Sequence, residues 1–201
     1  MKDSIRLYAL ETSVVRIDES KPAFVLNILS QPKEATIVTP EPQISETREK
    51  YRTYFEGLID ELREKHKFTN ARAGQNQSWY TFASDNSKIY KYGTSFAAND
   101  KVRADIYIDC GDKGKNGQLF DCLYLQRDNI EKQFGSQLTW QRLDEKRACR
   151  IADYRDGDID VDTTELEEIK QWAIASLLKL KAVFPKRIDK CLTQLPATAQ
   201  T

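Results

Sequence analysis

The chain has 201 residues, with 31 lysines and arginines against 31 aspartates and glutamates, one histidine and four cysteines. A chain of this length can bury a hydrophobic core without disulfides or metals. It contains no apolar run of about 18 residues, as a transmembrane helix would need, and its first residues lack the apolar stretch of a secretory signal. The balanced charge argues against bulk electrostatic coating of nucleic acid but is compatible with a local basic patch.

The cysteines and the histidine form no recognisable catalytic or metal-binding motif. Cys110, Cys122, Cys149 and Cys191 lie far apart and form no C-x-x-C pair, so we expect four reduced thiols in a cytoplasmic protein. His66 falls at the polar end of a charged helix. A zinc site would need closely spaced ligands, and a Ser-His or Cys-His pair would have to use this one histidine. We therefore predict neither a metal nor a cofactor.

The N-terminal 42 residues predict a small β segment followed by a linker. Residues 5–17 and 23–29 are rich in Val, Ile and Leu and are separated by turn-forming residues, which favours two short strands or a hairpin. Residues 31–42 contain three prolines, which neither continue a helix nor lie in a central strand. We predict a boundary here, with residues 1–42 as the N-terminal β segment and linker and residues 43–201 as the main domain.

The main domain begins with a predicted helix. Its apolar residues recur at the spacing of a single helical stripe, with charged residues elsewhere, and Ser45 or Thr47 can cap its N-terminus. The stripe consists of Tyr51, Tyr54, Phe55, Leu58, Ile59 and Leu62.

The remaining elements predict an antiparallel sheet covered by helices. Three candidate strands are followed by a helix that ends at Gly135, then by two strands and a last helix that Pro185 ends. The order α-β-β-β-α-β-β-α predicts an α+β fold in which three main helices cover an antiparallel sheet of about five strands. The strands are predicted at residues 79–83, 89–96, 102–108, 138–143 and 148–154, and the last helix at about 165–184.

An acidic segment from Asp156 to Asp162 precedes the last helix. Acidic residues at the start of a helix and basic residues at its end are the distribution that the helix dipole favours. The alternating aspartates also resemble the start of a calcium-binding EF-hand loop. Counted from Asp158, however, the sixth residue is Thr163 instead of Gly and the twelfth is Ile169 instead of Glu. Capping of the helix is therefore the stronger interpretation.

Two carboxylates near lysines suggest a Mg²⁺-dependent nuclease as one alternative function. Asp105 lies on the third main-domain strand and Asp109 just after it, and Lys113 follows. Two acidic residues can hold Mg²⁺ while a lysine orients the attacking water. These two share a face only if the strand stays regular to its end. The competing interpretation is that Asp105 pairs with an arginine across the sheet and Asp109 starts the turn.

Basic residues around the last two strands form the candidate nucleic-acid-binding site. Guanidinium groups and aromatic rings on a sheet can contact phosphates and stack on bases, and Trp140 and Tyr154 lie in this stretch. An internal network with carboxylates such as Asp105 and Glu131 explains the same residues equally well. The candidate residues are Arg142, Lys146, Arg147, Arg150 and Arg155.

Several segments resemble the bacterial domain of unknown function 4268 family. They span about residues 45–190, in the order of the predicted elements. The third strand of that family commonly reads Arg-Val-Glu-Leu-Tyr-Ile, and residues 103–108 keep the Arg, an acid and the Tyr. The segments are WYTF, KYGTSF, VRADIYID, LFDCLYLQRDNIEKQFG, LTWQRLDEKRACRIADYR, DGDID and IKQWAIASLLKLKAVFPKRI.

The resemblance implies a function that the residues alone do not specify. Members of the family often carry this domain after a PD-(D/E)xK nuclease-like domain, and residues 1–42 resemble the end of such a domain. The implied function is a non-catalytic accessory domain that recognises DNA or a partner protein in a bacterial restriction or anti-phage defence nuclease system. Two alternatives remain: a small Mg²⁺-dependent nuclease using Asp105 and Asp109, and a protein–protein interaction module without nucleic-acid binding.

Overall fold

The computed structural model describes the backbone of residues 9–15 and 23–30 and the full structure of residues 45–195. The chain divides into two compact units, Met1–Gln43 and Ile44–Thr201. In the first unit, β1 (Ala9–Val15) pairs antiparallel with β2 (Ala23–Ser30), which confirms the predicted β segment. The predicted linker lies outside the described residues.

The second unit is an α+β domain with a five-stranded antiparallel sheet, as predicted. The sheet order is β3-β4-β5-β7-β6, and every neighbouring pair is antiparallel. Among the described residues, no helix is both long and apolar enough to cross a bilayer. Its elements are α1 (Glu46–Glu64), β3 (Trp79–Ala83), β4 (Tyr90–Ala97), β5 (Lys101–Ile108), α2 (Lys113–Tyr124), α3 (Arg127–Phe134), β6 (Thr139–Gln141), β7 (Cys149–Asp156), α4 (Thr163–Val183) and α5 (Pro185–Gln194).

The helices differ from the prediction in two places. The second predicted helix is interrupted between Tyr124 and Arg127, so that α2 and α3 are separate helices, and Gly135 ends α3 with a φ of 94°. Pro185 ends α4 as predicted, but it also starts α5 at the first helical position. Proline is well suited to that position because the N–H that it lacks would have no intrahelical partner there.

Two of the four cysteines are joined, so the expectation of four reduced thiols was wrong. Cys122 on α2 and Cys191 on α5 form a disulfide, with Cα atoms 5.9 Å apart, a normal separation for such a bond. Cys110 and Cys149 are free thiols. The paired cysteines are 69 residues apart in the sequence, and they meet because α2 packs against α5.

A single hydrophobic core lies between one face of the sheet and the helices. On β5, Val102, Ala104, Ile106 and Ile108 are fully buried on this side, and each helix of the second unit contributes buried residues to the same core. The 21-residue helix α4 packs against both β4 and β5. Since side chains alternate along a strand, the intervening residues of each strand lie on the opposite face.

The aspartates of the acidic segment make separate local contacts. Asp156 pairs with Lys101, Asp160 pairs with Lys50, and Asp158 accepts a hydrogen bond from the Asp160 amide at 2.9 Å. Within residues 45–195, no group of three or more His, Cys, Asp or Glu residues is arranged to hold a metal ion. The segment therefore turns the chain and leads into the capped start of α4.

We expect Asp162→Ala to lower the free energy of unfolding by about 0.5–2 kcal/mol, because it removes the N-cap of α4. The Asp162 carboxylate accepts hydrogen bonds from the amides of Thr164 and Glu165 at 2.9 and 3.0 Å. Urea unfolding of the full chain measures the change. Asp156→Ala is the matched control, because it removes an exposed acid of the same segment that caps no helix. Equal losses in the two variants would contradict the capping role.

Candidate functional site

The second face of the sheet carries no helix from residues 45–195, because the helices of that range pack on the core side. The strand registers place Thr81, Gly93, Asp105 and Ala152 in one row across β3, β4, β5 and β7. We call this surface the open face. Its residues on these four strands include Trp79, Thr81, Lys91, Gly93, Arg103, Asp105, Tyr107, Arg150, Ala152 and Tyr154.

Asp105 lies at the centre of the open face and is only 4% exposed. Its neighbours in the row are Gly93 on β4 and Ala152 on β7, two of the smallest residues. A Cβ atom at position 93 would overlap the Asp105 carboxylate. Glycine at this position therefore makes room for the buried carboxylate, a common reason for glycine inside a strand.

Two arginines neutralise this buried carboxylate. The Nε atoms of Arg103 and Arg150 lie 2.8 and 2.9 Å from the same oxygen, Asp105 Oδ2. Both guanidinium side chains are themselves mostly buried, and that of Arg150 also lies 5.6 Å from the ring centre of Tyr107. Burial raises the pKa of Asp105, and the two arginines oppose that rise. The predicted pairing of Asp105 with an arginine is confirmed.

A cavity of about 430 Å³ opens next to this cluster. The charged residues that line it are Lys91, Arg103, Arg150 and Asp105, which are three cations and one carboxylate. Aromatic side chains of the open face also line it, including Trp79, which is 48% exposed. The cavity therefore combines positive charge, aromatic surface and a recessed hydrogen-bonding group.

The structure does not bring the five predicted binding residues together in one patch. Only Arg150 lies on the open face. Arg142 and Arg147 line a smaller cavity of about 240 Å³ beside the start of α2, together with Lys146. Arg155 lies near the other end of β7, on its core side, where its Nε donates to the carbonyl of Asp156 at 3.1 Å.

Two of the other four predicted residues have carboxylate partners. Arg142 lies 2.5 Å from an oxygen of Asp121. Arg147 holds both oxygens of Asp109, with distances of 2.8 and 2.7 Å. Glu131, expected to join an arginine network, instead accepts hydrogen bonds from the Trp140 indole and from the Leu138 amide. Arg150 thus pairs with Asp105, as the internal-network interpretation predicts, whereas Arg142 and Arg147 form pairs with Asp121 and Asp109 that are partly exposed.

The two carboxylates of the nuclease alternative are held by different arginines. Arg147 lowers the pKa of Asp109, with further help from the amide of Gly111 and the side chain of Asn116. Asp109 Oδ1 accepts from the Gly111 amide at 3.0 Å, so Asp109 starts the turn as predicted. Asp105 is instead bound to Arg103 and Arg150 on the open face.

Sequence reasoning did not select several residues of the candidate site. Trp79, Lys91 and Gly93 were absent from the predicted binding set, and Arg103 and Tyr107 appeared only in the family resemblance of residues 103–108. The available signal was the alternation of side chains along this strand, since it places Arg103, Asp105 and Tyr107 on one face. Which residues of β3 and β4 lie beside Asp105 on the open face depends on strand register, and the sequence pattern did not specify that register.

The chain was also compared with known families and proteins. The model of the family described as domain of unknown function (DUF4268) matches residues 50–188. The chain belongs to this family. The DUF4268 match extends from α1 into α5 and includes every residue of the open face. No curated protein and no solved structure matches the chain.

Proposed function

We propose that this DUF4268 chain is a non-catalytic accessory domain that binds nucleic acid, DNA in particular, through its open face. The observation that carries the proposal is the cavity on that face, where three cationic side chains and one carboxylate lie beside exposed aromatic surface. The whole chain has a formal net charge of zero. The excess of cations is therefore local, as expected of a binding surface.

The chemistry of the open face suits both parts of a nucleic acid. Lysine and arginine side chains contact phosphate oxygens, and aromatic rings provide surfaces on which bases stack. Lys91 is exposed at the edge of the cavity, whereas Arg103 and Arg150 are recessed and held in place by Asp105. Phosphate contacts are therefore expected first at Lys91, with the two arginines deeper in the site.

The biological setting is proposed from the family resemblance. Members often follow a PD-(D/E)xK nuclease-like domain, which places them in bacterial restriction or anti-phage defence systems. In such a protein, the open face would hold the DNA on which a neighbouring nuclease domain acts. A partner-protein interface remains the competing role, and the absence of nucleic-acid binding at low salt would favour it.

We expect Lys91→Ala to weaken nucleic-acid binding and to reduce its dependence on salt. Losing one phosphate contact lowers the slope of log K against log salt concentration by about 0.9 for duplex DNA or about 0.7 for single strands. Fluorescence anisotropy with labelled single- and double-stranded oligonucleotides at several salt concentrations measures both effects. Lys132→Ala, an exposed lysine on α3, is the matched control. Equal effects of the two substitutions would contradict binding at the open face.

A cleavage assay tests the non-catalytic part of the proposal. The pure chain is incubated with plasmid DNA and Mg²⁺ or Mn²⁺, beside an Asp109→Ala variant. We expect no cleavage above background in either sample. Reproducible cleavage that Asp109→Ala removes would instead support the nuclease alternative.

A further inference from the structure

The cavity on the open face has a glycine at its floor. Gly93 faces Thr81 on β3 and Asp105 on β5, and Lys91 lies two residues away on the same strand. All four residues line the cavity. We call this part of the cavity the Gly93 hollow. Because position 93 has no side chain, the Asp105 carboxylate lies over the strand there, with Oδ1 in the place that a Cβ would take.

The buried carboxylate presents an acceptor that is unpaired within residues 45–195. The Nε atoms of Arg103 and Arg150 lie 2.8 and 2.9 Å from Asp105 Oδ2. The other oxygen, Oδ1, is the atom nearest to the place of a Cβ at position 93. Arg103 and Arg150 are the hydrogen-bonding and charged groups that act on this carboxylate in the described structure. Asp105 lines the cavity, so a ligand N–H placed there could donate to Oδ1.

The same end of the cavity offers donors beside this acceptor. Arg103 and Arg150 line the cavity together with Asp105, and a guanidinium group has five N–H donors. The buried Nε atoms of both arginines lie close to Asp105 Oδ2 but have no hydrogen-bond partner within the described residues. An acceptor next to a donor is the complement of the hydrogen-bonding edge of a nucleobase, where an N–H lies next to a ring nitrogen or carbonyl. Because Asp105 is only 4% exposed, a base must enter the cavity to reach it, and a base stacked and paired in a duplex cannot do so.

A phosphate is a poorer occupant of the hollow than a base. The Asp105 carboxylate lies at its floor and would repel a second anion placed against Oδ1. The exposed aromatic surface of Trp79 and the ring of Tyr107 instead suit stacking. Phosphates flanking the base could pair with Lys91 at the rim.

We propose that the Gly93 hollow receives one unpaired nucleobase, with Asp105 Oδ1 accepting from an N–H of the base and the neighbouring guanidinium groups donating to its acceptors. This proposal rests on the proposed binding of nucleic acid to the open face. It adds that the ligand is single-stranded or locally unpaired, and that the protein recognises one base through hydrogen bonds to its edge.

The test uses the full chain and short labelled oligonucleotides. One is an abasic deoxyribose-phosphate strand of about ten units, a length within the site sizes of single-strand binders. Four others carry one A, C, G or T at the central position. We expect at least one base to raise the affinity about tenfold over the abasic strand, the effect of one good contact to a base edge. A duplex in which that base is paired should lose the gain.

Gly93→Ala is the protein variant that tests the location. It should remove the preference for the base-bearing strand, because its methyl group takes the place of Asp105 Oδ1 and displaces this acceptor. Thermal unfolding checks that the variant is folded. If it is not, the four base-bearing strands still test the proposal with the wild-type chain, because equal gains from all four bases would indicate stacking alone and overturn it.

The outcomes separate this inference from the function on which it rests. Equal, salt-dependent affinity for the abasic and base-bearing strands would overturn the base-binding hollow but keep the open face as a nucleic-acid surface. A preference that persists in folded Gly93→Ala would also overturn it. No binding to any oligonucleotide at low salt would refute the proposed function itself.

Discussion

Replacing Asp105 by alanine is expected to lower the free energy of unfolding by about 3–5 kcal/mol, the usual cost of removing one partner from a buried ion pair. The substitution leaves two guanidinium groups without their counter-ion, and the side chains of Arg103 and Arg150 are only 19% and 17% exposed. Two-state urea unfolding of the full chain, followed by circular dichroism, measures the loss. Since a typical domain is stable by about 5–15 kcal/mol, the variant would retain little stability.

Asp121→Ala is the matched control for this experiment. It also removes an aspartate paired with an arginine, but the side chains of Asp121 and Arg142 are 50% and 48% exposed. Exposed pairs contribute about 0–1 kcal/mol, because solvent screens the charges. If the two alanine variants lost similar stability, the central role of Asp105 would be contradicted. Asp105→Asn keeps an acceptor in place and should fall between the alanine variant and the wild type.

Trp79→Ala is expected to give the largest loss of nucleic-acid affinity among the exposed positions of the open face. Stacking of a base on an aromatic side chain contributes about 1–3 kcal/mol, so Kd should rise at least about fivefold. Because Trp79 is 48% exposed, the free energy of unfolding should change far less than the affinity. Anisotropy titrations with a single-stranded oligonucleotide measure Kd, and urea unfolding measures stability.

Tyr124→Ala provides the control for the loss of an exposed aromatic ring. Tyr124 is 45% exposed and lies at the end of α2, on the helical side of the domain. Its replacement should leave Kd unchanged. An equal loss of affinity in both variants would indicate that the nucleic acid does not bind specifically to the open face, and no loss in either would exclude stacking on Trp79.

The elements of the fold were largely predictable because each has a strong local signal. The apolar stripe from Tyr51 to Leu62 corresponds to the buried side of α1, and Ser45 caps that helix as expected. The strand pattern correctly predicted a five-stranded antiparallel sheet. The interruption at Leu125 was missed because apolar residues continue on both sides of it. Helix α5 was missed because Pro185 can end one helix and start another.

The candidate site was predictable only in part, for a reason that Asp105 illustrates. Its alternation with Arg103 and Tyr107 placed the three residues on one face, and pairing with an arginine was among the interpretations. Clustering of basic residues in the sequence did not predict the position of the site. Arg142, Lys146 and Arg147 surround a turn, whereas Arg150 projects from the sheet. Residues that are neighbours in the sequence point in different directions on a strand.

The balanced count of 31 positive and 31 negative residues describes the composition of the chain but not where its charges act. The sequence by itself determined the class of fold, the capped ends of several helices and the resemblance to a family, because those features depend on local patterns. The tertiary structure alone decided which charges meet. Strand register places Gly93 against Asp105 and leaves the cations around it on the open face, and helix packing joins Cys122 to Cys191. Register and packing depend on contacts between distant parts of the chain, which no local pattern specifies.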